Sequence, residues 1–296
     1  MTGKPAFIGG DWGTSRLRLF LCDGAGEVLV RKEGPGAAAG DCAAVFAGLT
    51  AEWDASWPAI LCGMVGSTIG WREVPYLQCP AALEELAQGA LRFEAEGRPI
   101  ALLPGLQCKN PLGNPDVMRG EETQLAGAMG GSPAGRRLFC LPGTHAKWVE
   151  AQDGIVTRFQ TALSGELFEL LTRHSVLARG SGPVWREDPA FTMGLAEARE
   201  SRHAGLLHSL FGARSRQLAG EFSREQASSY LSGLIIGEDV AGAAKLFAFD
   251  VPVTLICTPA LAALYAIPLA DYGVMTLDGE QAVCTGLFRA YRRLFG

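Results

Sequence analysis

The chain has 296 residues, of which 48% are hydrophobic and 19% are charged. This length and composition suit one or two globular domains with a buried core, and they exclude extensive disorder. The formal charge of -5, with no block of like charges, excludes an electrostatic field that would gather nucleic acid or an anionic membrane surface.

The N-terminus reaches a strand-like run within about six residues, with no long apolar segment or cleavage site ahead of it. We therefore expect no export signal and place the protein in the cytoplasm. The eight cysteines form no C-x-x-C pair. A chain of this size needs no disulfide staples, so we expect buried, reduced thiols.

Two segments of the chain follow the same plan. Residues 7–31 read as strand, Gly-Thr turn, strand, Asp-Gly turn and strand, and residues 138–158 repeat that order. Gly13-Thr14 in the first copy corresponds to Gly143-Thr144 in the second. Asp-Gly between alternating apolar runs is typical of a hairpin, because glycine tolerates the positive φ of the primed turns. The repeat predicts an α/β protein with two lobes of similar plan.

Between the two copies, the spacing of apolar residues predicts a helix over 81–93. Residues 104–123 are rich in Pro, Gly and Asn and predict a loop, and the chain turns helical from Glu121 onward. The Gly-Gly-Ser-Pro-Ala-Gly stretch at 130–135 is the best candidate for a boundary or hinge. We therefore predict an N-terminal lobe over 1–129 and a C-terminal lobe over 130–296.

The second half of the chain contains further predicted helices. One covers 164–177, one covers 223–246 with Ser223 and Gln226 placed as a capping box, and an amphipathic one ends the chain. Residues 251–270 carry no charge over a length that could span a bilayer. Three prolines interrupt this segment, so we predict a buried strand followed by a helix instead of a membrane span.

The Gly-Thr turns are the first feature that carries chemistry. Each turn offers backbone N–H groups and a hydroxyl beyond the strand ends, which form a concave anion site. Two such turns facing each other would hold a polyphosphate, and Asp11 would hold Mg²⁺, because this hard cation takes carboxylates and keeps several waters. There is no Walker A motif and no G-x-G-x-x-G after a strand. The predicted phosphate-binding residues are Gly13, Thr14, Ser15, Gly143, Thr144, His145 and Lys147.

Four blocks of the sequence resemble a known family. They are DWGTS (11–15), GMVGSTIGWREVPYLQCPA (63–81), DVMRGEETQLAGA (116–128) and CLPGTHAKWVEAQDGIVTRFQTALSGELFELL (140–171). Together they are similar to the 2-dehydro-3-deoxygalactonokinase family, and the two hairpins resemble the phosphate hairpins of the actin, hexokinase and Hsp70 ATPase superfamily. The resemblance implies two RNase H-like (actin-like ATPase) lobes that close on a cleft for ATP and Mg²⁺. It also implies phosphorylation of 2-dehydro-3-deoxy-D-galactonate at its 6-hydroxyl in galactonate catabolism.

Phosphoryl transfer needs positioning, charge stabilisation and a base that accepts the acceptor's proton. In related sugar kinases the base is a carboxylate at the start of a helix, and Glu121 resembles that position. Glu122 lies beside it, and the positive end of a helix N-terminus favours both acids even without a catalytic role. The resemblance makes Glu121 the first candidate for the base, with Asp11 and Arg16 as further catalytic candidates.

The loop over residues 63–76 has the composition of a sugar site, because polar groups stand beside aromatic residues in a Gly-rich setting. A 2-keto acid also needs a cation for its carboxylate, for which Arg72 and Arg119 are candidates through bidentate pairing. Trp71 also fits a packing role in the core. The predicted substrate-binding residues are Ser67, Trp71, Arg72, Tyr76 and Arg119.

The resemblance places the adenosine against the second lobe, with Gly233, Gly237 and Thr258 as its predicted contacts. The small residues of the helix over 223–246 would let a flat ligand or another backbone come close. Superfamily members usually have a glycine at the strand end where Thr258 and Pro259 stand in this chain.

Two other functions stay open at this point. A phosphohydrolase would keep the fold and attack with water, although water needs no recognition loop such as the one around Trp71 and Tyr76. A non-catalytic sugar-acid sensor normally carries a helix-turn-helix, for which we expect no room before the first strand. We expect ATP and a sugar acid as partners, without nucleic acid or membrane. The sequence leaves open a homodimer and the choice between the galacto acid and its gluco epimer.

Overall fold

The computed structural model of the protein describes residues 3–130, 134–200 and 204–296. The chain divides into two compact units. The first unit comprises Met1–Arg136, Ala151–Phe159 and Leu277–Gly296, and the second comprises Arg137–Glu150 and Gln160–Thr276. The predicted boundary at 130–135 lies in part outside the described residues, since 131–133 are not among them.

Groups of strands are separated by helices along the chain. The strands are β1 (Pro5–Trp12), β2 (Arg16–Asp23), β3 (Val28–Pro35), β4 (Ala59–Gly63), β5 (Leu77–Gln78), β6 (Ala81–Ala82), β7 (Leu91–Ala95), β8 (Arg98–Leu102), β9 (Leu106–Lys109), β10 (Pro115–Met118), β11 (Arg136–Leu141), β12 (Ala146–Gln152), β13 (Ile155–Ala162), β14 (Val253–Cys257) and β15 (Val274–Asp278). The helices are α1 (Cys42–Thr50), α2 (Glu85–Gln88), α3 (Glu121–Ala128), α4 (Ser164–His174), α5 (Pro189–Glu200), α6 (Leu206–Leu210), α7 (Gly212–Leu218), α8 (Ala227–Leu246), α9 (Pro259–Leu269) and α10 (Gly279–Phe295).

The first sheet has the strand order β3-β2-β1-β4-β8-β7. β1, β2 and β3 form an antiparallel meander, and β4 and β8 continue the sheet parallel to β1. One face packs Trp12 and Leu61 against Phe46 of α1, and the other packs Phe20 against Leu287 of α10. Because side chains alternate between the faces of a strand, the nearly continuous apolar run of β1 serves both cores.

A second six-stranded sheet repeats this plan. Its order is β15-β14-β11-β12-β13-β6, with β11 and β14 parallel. The order β13-β12-β11-β14 matches β3-β2-β1-β4 strand for strand. Helices α8 and α9 cover one face, where Val240 and Leu269 pack against Leu138 and Leu255. The predicted internal repeat, an α/β fold with two copies of one strand meander, is confirmed.

The prediction of one helix over 81–93 is wrong. The segment instead holds two residues of β6, the single turn of α2, and the start of β7. β7 pairs antiparallel with β8 around a turn in which Glu96 has φ 52° and Gly97 has φ 74°. Leu91 and Phe93 alternate with polar neighbours and pack on the core, which is a period-2 pattern that the helical interpretation overlooked. The predicted loop over 104–123 likewise contains β9 and β10, which pair around residues 110–114.

Most other predicted elements are confirmed. α3 begins at Glu121, α4 begins at Ser164, and a capping box of Ser223 and Gln226 precedes α8. Residues 251–270 form the buried strand β14 and then α9, as predicted. Within 3–130, 134–200 and 204–296, no helix combines the length and the hydropathy that crossing a bilayer requires.

Candidate functional site

The carboxyl ends of β1 and β4 meet at one edge of the first sheet, because the two strands are parallel. At this edge Asp11 lies beside Cys62 in register, and Trp12 lies beside Gly63. Asp11 is only partly buried. Ligands of open α/β sheets bind beyond the carboxyl ends of the strands. Asp11 therefore stands where a ligand of the first unit is expected.

The first Gly-Thr turn connects β1 to β2. The backbone that follows β3 forms hydrogen bonds to this turn. The backbone N–H groups of Ala37 and Ala38 donate to the carbonyl oxygens of Gly13 and Thr14 at 3.0 and 3.1 Å. The side chains of Thr14 and Ser15 stay exposed. The turn is therefore fixed in place with two hydroxyl groups available to an anion.

Arg18 is the arginine that reaches Asp11. It lies directly opposite Asp11 in the β1–β2 register, and its guanidinium forms an ion pair with the Asp11 carboxylate. The predicted Arg16 has a side chain that is 68% exposed and pairs with Glu33 at 3.3 Å. Arg18 was missed from the sequence, although counting outward from a four-residue turn at residues 13–16 places it opposite Asp11.

Helix α3 begins close to this edge because two glycines allow the backbones to approach. Gly120 has φ 111° and Gly63 has φ 88°, conformations that strain a residue with a side chain. A Cβ on Gly120 would lie 3.4 Å from the Gly63 Cα, and a Cβ on Gly63 would collide with the carbonyl of Trp12. The N-terminus of α3, which carries Glu121, therefore lies near the ends of β1 and β4.

The two glutamates at the start of α3 have different surroundings. Glu121 is partly exposed, and its Oε2 accepts from the Arg119 N–H at 3.0 Å. Glu122 is fully buried and accepts from the Gly120 N–H at 2.7 Å and from the Thr123 hydroxyl at 3.2 Å. Burial and the charge of Glu121 raise the pKa of Glu122 to about 8. Of the two carboxyl groups, Glu121 is the one that a substrate can reach.

Arg119 offers unpaired donors next to Glu121. Its Nη2 donates to the Val74 carbonyl at 2.8 Å, and its guanidinium lies 4.2 Å from the centre of the Tyr76 ring. Its Nε and Nη1 are buried and have no hydrogen-bond partner among the described residues. A Cβ on Gly66 would lie 3.0 Å from Nη1, so the glycine leaves room for the guanidinium. Buried donors of this kind are suited to a carboxylate.

The other predicted residues of the acceptor loop contact neighbouring protein groups. Trp71 packs between Phe46 and Phe93 in a tilted and an edge-to-face contact, with ring centroids 5.5 and 5.3 Å away. The exposed Arg72 lies 4.0 Å over the Phe93 ring. The Ser67 hydroxyl donates to the Met64 carbonyl at 2.7 Å. The structure thus groups Tyr76 with Arg119, whereas it packs Trp71 and Arg72 against Phe93.

The second Gly-Thr turn connects β11 and β12 and rests on the N-terminus of α4. The Glu166 N–H donates to the Thr144 carbonyl at 2.9 Å, and a side chain on Gly165 would overlap the Gly143 carbonyl. Gly143, Thr144 and His145 are exposed, and the His145 imidazole pairs with the Glu166 carboxylate at 2.5 Å. The turn and a helix N-terminus together provide an anion site in the second unit.

Lys147 has a different position from the one a surface lysine would take. It lies on β12 with only 5% of its surface exposed, and its Nζ donates to the Thr161 hydroxyl at 2.9 Å. The ammonium is therefore directed at β13. Its predicted role in phosphate binding stays a prediction.

An apolar cavity of about 300 Å³ adjoins the second turn within the second unit. It lies among α4, α8 and α9, and most of its wall is aliphatic or aromatic. This volume and this lining are typical of a small-molecule site. The lining residues are Pro142, Gly143, Ser164, Gly165, Phe168, Val184, Ser232, Ile235, Ile236, Ala260, Leu261, Leu264 and Tyr265.

The predicted adenosine contacts lie beside this cavity but not in its wall. A side chain on Gly233 would overlap the Phe191 carbonyl, and one on Gly237 would lie 2.6 Å from the Ala198 Cβ. Both glycines therefore serve the close packing of α8 on α5. Thr258 caps α9, because its hydroxyl accepts from the Leu261 N–H at 3.5 Å. This packing does not support a contact between Gly233 or Gly237 and adenosine.

Sequence comparison relates the chain to one family of sugar-acid kinases. The family model for 2-keto-3-deoxy-galactonokinase matches residues 11–290. The 2-dehydro-3-deoxygalactonokinase of Escherichia coli (strain K12) is 35% identical over 294 residues, with 95% of this chain and 96% of the relative covered. A Rhizobium meliloti (strain 1021) protein assigned the same activity is 37% identical over 312 residues and matches 100% of this chain and 99% of its own.

A solved structure matches the fold over nearly its full length. The crystal structure of a Sinorhizobium meliloti protein, assigned as a 2-dehydro-3-deoxygalactonokinase, superposes with a TM-score of 0.89 at 36% identity. The match covers 98% of this chain and 99% of that one. Component A of the (R)-2-hydroxyglutaryl-CoA dehydratase of Acidaminococcus fermentans has a TM-score of 0.51 at 10% identity, a likeness of fold alone.

Proposed function

The chain belongs to the 2-keto-3-deoxy-galactonokinase family, and on that premise we propose that it transfers the terminal phosphoryl group of ATP to the 6-hydroxyl of 2-dehydro-3-deoxy-D-galactonate. Its fold is that of the actin-like ATPases and sugar kinases. The phosphohydrolase and sensor alternatives have no comparable support from the relatives.

One observation within the first unit carries the proposal. Arg119 presents buried guanidinium nitrogens that have no hydrogen-bond partner in the described part of the chain, and Glu121, two residues later, presents a partly exposed carboxylate. The substrate is a sugar acid, so it needs a cation for its carboxylate and a base for its hydroxyl. Both groups lie at the start of α3, which approaches the strand edge that carries Asp11.

In this proposal Glu121 accepts the proton of the 6-hydroxyl while that oxygen forms a bond to the terminal phosphorus of ATP. The bond between that phosphorus and the bridging oxygen breaks, and ADP leaves with the electron pair. Arg119 holds the substrate carboxylate at the other end of the molecule. Tyr76, which lies against the Arg119 guanidinium, fixes the direction of that cation.

We assign ATP to the second unit and the acceptor to the first. The apolar cavity next to Gly143 would take the adenosine, with Ile236 and Leu264 against the base. The phosphates would follow to the turn at Thr144 and to the N-terminus of α4.

We propose Mg²⁺ as the metal partner of ATP. Asp11 is a single, partly buried carboxylate at the strand edge, which fits a cation that takes one or two carboxylates and completes its shell with phosphates and waters. Within the described part of the chain, no group of three or more His, Cys, Asp or Glu residues forms an all-protein metal site. When bound, the ion would neutralise charge on the phosphates, and Arg18 orients the carboxylate that holds it.

The remaining assignments follow from the chemistry. A kinase that consumes ATP works where ATP is made, so we propose a cytoplasmic protein. Its ligands in this proposal are ATP and a sugar acid. A homodimer stays a prediction.

A coupled assay of ADP release tests the function. The panel contains 2-dehydro-3-deoxy-galactonate, its gluco epimer and an analogue without the carboxylate, each with ATP and Mg²⁺. We expect ADP release to require the acceptor, to be fastest with the galacto acid and to be weak without the carboxylate. ADP release that is independent of any acceptor would instead identify a phosphohydrolase, and no turnover with any acid would reject the proposal.

A further inference from the structure

A partly buried carboxylate, that of Asp239, contacts two residues that line the apolar cavity of the second unit. Asp239 of α8 accepts three hydrogen bonds from different elements: from the Trp148 indole N–H at 2.8 Å, from the Ser164 hydroxyl at 2.7 Å and from the Tyr265 hydroxyl at 2.7 Å. The three donors are themselves nearly inaccessible to solvent, with 1%, 7% and 3% of their surfaces exposed. Asp239 therefore joins β12, α4, α8 and α9 at one point.

The donor set matches an ionised carboxylate. Three N–H or O–H groups point at two oxygens, and a carboxylate accepts all of them, whereas a protonated acid would need an acceptor for its own proton. Burial raises the pKa of Asp239, and the three hydrogen bonds oppose that rise. Burial also raises the pKa of Tyr265 well above its usual range, so that its hydroxyl keeps the proton that it donates.

This arrangement fixes what the cavity offers to a ligand. Ser164 and Tyr265 both line the cavity, and both donate their single hydroxyl hydrogen to the same oxygen of Asp239. Each hydroxyl oxygen keeps its lone pairs, so both groups can only accept a further hydrogen bond. Much of the remaining wall is aliphatic, with Ile235 and Leu261 among its members.

We propose that Asp239 is a positioning residue that holds Ser164 and Tyr265 as hydrogen-bond acceptors, and that this selects a purine with an amino group at position 6 over one with a keto oxygen at that position. Adenine carries an amino group at position 6, whereas hypoxanthine and guanine carry a keto oxygen there. A keto oxygen that faces the Ser164 and Tyr265 hydroxyl oxygens would find no donor, because both hydrogens are donated to Asp239. Buried polar groups would then stay unpaired, and such a mismatch discriminates strongly between two ligands. The inference rests on the proposed function, because it takes the cavity as the nucleotide site.

Direct binding of ATP and of inosine triphosphate tests the inference without an acceptor sugar. The two nucleotides differ in the base only, at position 6 and at the adjoining N1, which accepts a hydrogen bond in adenine and donates one in hypoxanthine. Calorimetric titration of the full chain gives both dissociation constants. For the wild type we expect ATP to bind at least about tenfold more tightly. In Asp239→Asn the side-chain amide donates to one hydroxyl, which turns that hydroxyl's hydrogen towards the cavity, so the preference should fall to near unity.

Two further variants separate selection from general stability. Trp148→Phe removes the third donor to Asp239 from a residue outside the cavity wall, and it should keep the preference for ATP even if the melting temperature falls. Tyr265→Phe removes one acceptor and leaves the carboxylate in place, so it should lower the preference. It also provides the test if Asp239→Asn does not fold.

The outcomes are distinguishable. If the wild type binds both nucleotides equally, or if Asp239→Asn and Tyr265→Phe keep the wild-type ratio of dissociation constants, the inference is overturned while the kinase proposal stands. If the wild type binds neither nucleotide, the proposed function fails as well. A loss of affinity that is equal for both nucleotides in Asp239→Asn would assign this residue a structural role only and would also overturn the inference.

Discussion

Glu121 and Glu122 are adjacent residues of one type with opposite exposure. Glu121 is partly exposed at the start of α3, whereas Glu122 is fully buried. We expect Glu121→Gln to lower kcat by about 10²- to 10⁴-fold, because the amide cannot accept the proton of the acceptor hydroxyl. The affinity for ATP should change little. Steady-state kinetics and nucleotide titration measure the two quantities.

Glu122→Gln is the matched control for this prediction. It removes the same chemical group one position away, from a side chain that is enclosed by the protein. Its kcat at neutral pH should stay close to that of the wild type, because the raised pKa already keeps much of the Glu122 carboxyl group protonated there. A collapse of turnover in Glu122→Gln but not in Glu121→Gln would reverse the assignment of the base.

Glu122 also makes stability depend on pH. Its pKa is about 8 in the folded protein, whereas an unfolded chain has a glutamate pKa of about 4.3. Between these values the folded state holds a proton that the unfolded state has released. The contribution of Glu122 to the free energy of unfolding is therefore fully present below the unfolded pKa and falls as pH rises towards 8, by on the order of a few kcal/mol.

Urea unfolding of the wild type and of Glu122→Gln over the range between these two pKa values measures this dependence. The variant cannot release a proton in either state, so the wild type should lose stability relative to it as pH rises. A constant difference between the two proteins over this range would show that Glu122 does not titrate abnormally.

Arg119 and Arg72 provide a second matched pair. Arg119 has buried guanidinium nitrogens without a partner among the described residues, whereas Arg72 is exposed and stacks on Phe93. Arg119→Met should raise KM for the sugar acid by about 10- to 100-fold, because it removes a charged hydrogen bond. The KM for ATP should not change. Arg72→Met should behave like the wild type, and the opposite pattern would move the carboxylate site to Arg72.

Residue types and spacing predicted where many residues of the candidate site lie in the chain. They did not predict which of those side chains are buried. Strand ends and turns contain Asp11, Thr14 and Thr144. Such positions can be predicted from the sequence because turn chemistry is local. Whether Trp71 faces a sugar or the core, and which glutamate is buried, depends on contacts with residues distant in the chain. The ion pair of Arg18 with Asp11 was predictable in principle, because hairpin register follows from the turn.

Helix α3 is held against α10 by two glycines. A side chain on Gly127 would overlap the Ala282 carbonyl, and one on Gly286 would overlap the Thr123 carbonyl. Gly286→Ala should therefore destabilise the protein by about 1–3 kcal/mol, because a packed helix pair must separate. It should also lower kcat, since Glu121 moves with α3. Thermal unfolding and steady-state kinetics measure both effects.

Gly242 in α8 supplies the control for the helix glycines. A Cβ there would meet nothing within 4 Å. Gly242→Ala should raise stability by about 0.5–1 kcal/mol, because alanine loses less conformational entropy in a helix. If both substitutions stabilise the protein equally, then the close contact of α3 with α10 has no energetic consequence.

Helices and strands differed in how well the sequence predicted them. The capping box before α8 and the repeated Gly-Thr and Asp-Gly turns are local signals, and the elements they predicted are confirmed. The error over 81–93 has a physical cause. A short apolar run fits either period, and β7 is fixed as a strand by pairing with β8 and by packing of Phe93 on the core.

At the scale of the whole molecule, the two units are discontinuous in sequence. The last helix, α10, belongs to the first unit, although residues 160–276 of the second unit lie between it and α3. Val283 and Leu287 of α10 are almost fully buried against Phe7 and Phe20 of the first sheet. The core of the first unit is therefore complete only when the C-terminal helix α10 packs on the first sheet.

This discontinuity predicts that a chain ending at residue 278 does not reach the native state. Loss of α10 exposes one face of the first sheet, and each large apolar side chain removed from the core costs about 1.5–3 kcal/mol. Several such losses equal the whole stability of a typical domain, which is about 5–15 kcal/mol. Near-ultraviolet circular dichroism should show lost tertiary packing, and ADP release should be absent.

Addition of a peptide of residues 279–296 distinguishes a missing core element from a general effect of truncation. The peptide should restore ADP release to the truncated chain in a concentration-dependent way, because α10 binds to the sheet through its apolar face. The same peptide with Leu287→Asp should not restore it, since Leu287 is only 1% exposed in the core. A truncated chain that is native and active without any peptide would mean that the first unit is complete without α10.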